Sequence, residues 1–109
     1  MEQVTVPTLN LDEEIATPVA KVDWQGTRWR LKAPVEFSIP ELAEFHSLRR
    51  GYAADESRAA VSRAAAHRQH QRLDRIVELI LPDMPKDVRL QMADAHKFTI
   101  LDFYAQKFF

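Results

Sequence analysis

One run of residues constrains this chain more than any other. From Asp55 to Leu81, "DESRAAVSRAAAHRQHQRLDRIVELIL" contains neither glycine nor proline, and Pro82 closes it. The run predicts a single long helix of ~27 residues, which at 1.5 Å per residue reaches ~40 Å. Its two halves differ. Leu73, Ile76, Val77 and Ile80 form a true apolar stripe in the second half, whereas the first half offers alanines and Val61. Alanine favours helix but brings little area to bury. The first half is therefore expected to project, bend or move near "HRQHQ".

Upstream lies a pattern of the opposite period. In "VAKVDWQGTRWRL", Val22 and Trp24 alternate with polar residues, Gln25-Gly26 offers a turn, and Trp29 and Leu31 resume the alternation. A two-residue turn sets Val22 opposite Trp29 and Asp23 opposite Arg28, with both tryptophans on one face. A longer loop through Arg28 pairs the tryptophans directly and keeps them on that face. Two strands are marginal alone, so this face must cover helices or another subunit. "SIPELAEFHSLRRG" then reads as a short helix. Ser38 and Glu41 have capping-box spacing, Pro40 sits in the first turn, Leu42, Phe45 and Leu48 make one stripe, and Gly51 suits the stop. After Pro82, Asp83 or Met84 with Pro85 starts a helix whose inner face holds Val88, Met92 and Ala95. Thr99 and Asp102 are candidate caps for a last one. The fold class is α+β, mostly α-helical: one N-terminal β-hairpin followed by about four helices, one of them long.

The chain has 109 residues, enough for one domain with a modest core. Residues 1–18 read as an extended or flexible arm, with 19–109 the hairpin-plus-helices domain. Val4, Val6, Leu9, Leu11 and Ile15 would let the arm add a strand to a neighbour. Without cysteines there are no disulfides and no thiolate chemistry. No apolar run approaches the ~20 residues of a membrane span, and the acidic N-terminus is unlike a secretory signal, which makes the cytoplasm the expected place. Charge is uneven: residues 1–57 hold ten acids against six Lys or Arg, while 58–109 hold six against nine. That asymmetry favours self-association or a charged partner.

Chemistry finds few footholds. His67 and His70 have ligand spacing, but a metal needs a third or fourth ligand that neither cysteine nor a Glu-x-x-His supplies. His46 and His96 sit among apolar neighbours and read as helix-surface residues. The serines lack a nucleophile's setting, and Gly26 and Gly51 make no phosphate loop. No enzyme, metal or cofactor is expected. Arg58, Arg63, Arg68, Arg72 and Arg75 recur along one helix and offer a track for phosphates. The competing reading, which is preferred, is a solvated outer face with Arg75 and Glu78 paired locally.

The closing stretch "FTILDFYAQKFF" holds five of the ten aromatic residues. On a helix, Leu101, Tyr104 and Phe108 share one side, and Ile100 and Phe103, with Phe109, another. One side suffices to dock on a core of this size, so the other is expected to serve a partner.

Taken in order, "VDWQGTRWRL", "SIPELAEFHSL" and "RLDRIVELILPDMPKDVRLQMADAHKFTILDFYAQKF" resemble the small tail assembly chaperones of long-tailed bacteriophages over about residues 19–108. The resemblance implies a non-catalytic protein of the infected host cytoplasm. It would bind the tape-measure protein, recruit tail-tube subunits and leave before the virion is finished. Short and frameshifted longer forms share the domain in that family. The long Ala/Arg helix and the eighteen-residue arm depart from the pattern. Met84, Met92, Phe98, Leu101, Phe103 and Phe108 are the candidate lining of a client groove, since Met and aromatic side chains adapt to an amphipathic helix. A homo-oligomer is expected. The alternatives are a small nucleic-acid-binding regulator using the Arg-rich helix, and a structural virion connector.

Overall fold

The computed structural model describes residues 20–109, together with Pro7. The expected arm over 1–18 otherwise lies outside the described residues. Strands β1 (Lys21–Trp24) and β2 (Thr27–Arg30) are followed by a 3-10 turn at Pro34–Glu36. Four helices come next: α1 (Ile39–Ala59), α2 (Arg63–Ile80), α3 (Lys86–Leu90) and α4 (Asp94–Phe108). The α+β, mostly helical class follows directly.

The hairpin has the tight register. Val22 faces Trp29 and Asp23 faces Arg28, with Arg28 Nε donating to Asp23 Oδ1 at 2.8 Å. Gln25 and Gly26 both have positive φ, 49° and 80°. That pair of left-handed residues matches the right-handed twist of the strands. Val22, Trp24 and Trp29 pack their shared face against the core. Each indole Nε1 is buried without a hydrogen-bond partner among the described residues.

The helical boundaries differ from expectation in four places. α1 does not stop at Gly51 but runs to Ala59. Consequently there is no single helix from Asp55 to Leu81: the chain turns back at 60–62, and Ser62 caps α2 by accepting from Ala65 N–H at 3.2 Å. No bend occurs at "HRQHQ", which lies within continuous α2. α4 begins at Asp94, so Thr99 and Asp102 are interior; Thr99 Oγ1 donates to the Ala95 carbonyl four residues back. Ala95 is exposed and does not join Val88 and Met92 on the inner side.

Gly51 has a different role from a stop signal. A Cβ there would lie 2.7 Å from Arg72 Nε, so glycine lets the Arg72 side chain cross α1 and donate to the Gly51 carbonyl at 3.0 Å. Ser38 and Glu41 do form the capping box, at 3.3 and 3.0 Å. The core gathers Phe45 of α1, Leu73, Ile76, Val77 and Ile80 of α2, and Ile100, Leu101 and Tyr104 of α4. Tyr104 Oη donates to the Lys32 carbonyl at 2.6 Å, tying α4 to the segment after β2. Burial pushes its hydroxyl pKa up.

Candidate functional site

α4 is the helix on which partner binding was expected, and its residues divide into three groups. Ile100, Leu101 and Tyr104 are buried together, so Ile100 leaves the second side assigned from sequence to join the core, while Phe103 and Phe109 of that side do not. Phe108 is half-buried, its ring 4.7 Å from that of Tyr104. Phe98, Phe103 and Phe109 are left 46%, 45% and 59% exposed.

The exposed rings do not share one groove. Phe98 stacks on Tyr52 of α1 at 6.2 Å, and with it borders a cleft of about 250 Å3 between α1 and α4. Phe103 looks the other way. With Val22, Thr99 and Ile100 it lines an apolar recess of about 250 Å3 against β1, with Lys21 on the rim. A second recess of about 190 Å3 continues it through Trp24 and His96, whose rings lie 4.8 Å apart. Met84, Met92 and Leu101 are buried at 4%, 5% and 7% exposure. Those three belong to the core, and Leu101 also lines the α1–α4 cleft. The separation was unreadable from spacing because it depends on which side of α4 the hairpin covers. Val22 and Tyr52, which complete the two surfaces, lie far from α4 in sequence and were not foreseen.

The arginines of α2 are largely committed within the chain. Arg68 Nε donates to Asp55 Oδ2 at 3.0 Å, and Arg72 Nη1 pairs with the same oxygen. Together, Arg68 first and Arg72 second, they hold the Asp55 carboxyl down to about 2. Arg75 bonds Glu44 at 2.7 Å and, as expected, Glu78. Arg63 remains exposed, as does Arg58, which lies on α1 and not, as expected, on the same helix as the other four. Three of the five cations of the supposed phosphate track therefore face carboxylates.

The histidines separate likewise. His70 Nδ1 lies 2.8 Å from Asp94 Oδ1, bridging α2 and α4, while His67 is exposed. Among the described residues no three His, Cys, Asp or Glu side chains gather as metal ligands. No described helix is long and apolar enough to cross a membrane.

A second buried polar cluster fixes α4. Asp74 Oδ1 accepts from Arg89 Nε at 2.9 Å and Lys97 Nζ at 3.0 Å, both cations being nearly fully buried. Burial works against the Asp74 carboxylate, but Lys97 and then Arg89 overcome it and hold its pKa low. Compared with protein-family models, with curated proteins and with solved structures, the chain finds no match.

Proposed function

We propose that this chain is a non-catalytic binding protein that holds an apolar helical segment of a client in the recess between β1 and α4. The carrying observation is Phe103, which stays 45% exposed beside Val22 and Ile100, on a helix whose Ile100, Leu101 and Tyr104 fill the core. An apolar recess with an aromatic anchor and a charged rim is what an amphipathic helix occupies. The resemblance supplies the client: the tape-measure protein of a long bacteriophage tail, kept soluble in the host cytoplasm while tail-tube subunits are recruited.

The decisive experiment is co-expression with a tape-measure segment. Wild-type protein keeps the segment soluble, and Phe103→Asp sends most of it to the pellet while the variant's own circular dichroism is unchanged. Equal solubility with a folded Phe103→Asp variant would overturn the reading. The nucleic-acid alternative is weaker because Arg68, Arg72 and Arg75 are already paired, which reduces the charge available to release counterions.

A further inference from the structure

The opposite flank of α4, facing α1, has a charge order that a client need not share but a second copy does. His46, Arg49, Ala53 and Glu56 follow one another on α1 at spacings of three and four, so they form one outward row. Ala53 and Glu56 are exposed, as is Arg50 beside the row. None of Arg49, Arg50 and Glu56 belongs to an ion pair among the described residues. Arg49 instead lies over the Phe109 ring at 5.0 Å. The row thus runs from a basic end, through a small alanine, to an acidic end. Alongside its middle lies the Tyr52–Phe98 stack with the cleft it borders. Glu56 and Asp94 both face Tyr52 closely enough that, after burial, their charges raise its hydroxyl pKa.

We infer that this face pairs two copies of the chain about a two-fold axis passing between Tyr52 and Ala53. Such an axis sets two α1 helices antiparallel. Arg49 and Glu56 lie equally far from its centre, so Arg49 of each copy meets Glu56 of the other. Every attraction occurs twice, as an isologous interface demands. Ala53 lets the helix axes approach, since their separation follows the size of the side chains at the crossing. Tyr52 and Phe98 supply the aromatic centre that carries affinity. The charged pairs set register more than strength. The occupant is a second copy because the charge order is its own complement when reversed. The surface is separate from the β1–α4 recess and does not depend on the client proposal.

Sedimentation equilibrium of the full chain tests it. The wild type is expected to sediment at twice the chain mass. Arg49→Glu and Glu56→Arg each return it to the monomer, and the two together restore the dimer. Because Arg49 also contacts Phe109, Ala53→Arg provides a second disruption at an exposed position, again giving monomer with unchanged circular dichroism. A wild type that stays monomeric up to its solubility limit would overturn the proposal. So would a dimer indifferent to Ala53→Arg, or charge reversals whose combination fails to restore pairing.

Discussion

The α1–α2 pair is held together in two different ways along its length. Near the hairpin, Phe45, Leu73, Ile76, Val77 and Ile80 are sealed in a common apolar core with Tyr104. Toward the turn at 60–62, the facing residues are Ala65, Asp55, Arg68 and Arg72, and the contact is a carboxylate shared by two guanidinium groups. Val61, at the turn, is 89% exposed. Apolar burial neither titrates nor is screened by ions, whereas a charged clasp depends on pH and ionic strength. Loss of an apolar contact is felt throughout a cooperative core, while loss of the clasp opens one end. One pair of helices thus has a base that defines global stability and a tip that can fray on its own.

The largest effect is expected at the base. Phe45→Ala removes a fully buried ring that stacks near Phe37 and meets Tyr104, and should cost about 3–5 kcal/mol in denaturant unfolding. A smaller loss would mean that the core closes over the gap. Next comes the clasp. Asp55→Asn should speed amide exchange in residues 52–70 and leave the α4 core amides unchanged; uniform acceleration would make the two regions one cooperative unit. Acid should reproduce this. The folded Asp55 pKa is lowered to about 2, so its contribution is complete above the ordinary carboxylate range near pH 4 and disappears as pH falls through about 2. The smallest effect belongs to the cap: Ser62→Ala should cost about 1 kcal/mol of local stability at the start of α2. It sharpens the comparison if the loss is confined to the tip.

What the sequence revealed, and what it hid, follows the range of each interaction. The hairpin and its shared tryptophan face were legible because Val22, Trp24, Trp29 and the Gln25-Gly26 turn act within ten residues, whereas the choice between two registers was left to the structure. The Ser38–Glu41 box was legible for the same reason. Gly51 misled because glycine has two uses, ending a helix or admitting a crossing side chain, and only Arg72, 21 residues away, distinguishes them. The long helix was divided at Ala60–Ser62 by a turn whose local mark, a serine able to cap, lay inside an unbroken helix-forming run. For the site, the richness of α4 in exposed rings was visible, but its division was not. Burial of Met84, Met92 and Leu101, and the placement of Phe98 and Phe103 on different flanks, depend on α1 and β1 arriving from elsewhere.

Asp74 Oδ1 has a mechanical consequence for both flanks. It grips Lys97 and Arg89 at once, so one atom anchors α2, α3 and α4. Lys97 immediately precedes Phe98 and stands six residues before Phe103. Rolling α4 about its long axis to tuck either phenylalanine inward would drag the buried Lys97 ammonium group off its counter-ion. The peg therefore keeps the helix from hiding one ring at the expense of the other, and each stays turned toward its own neighbour.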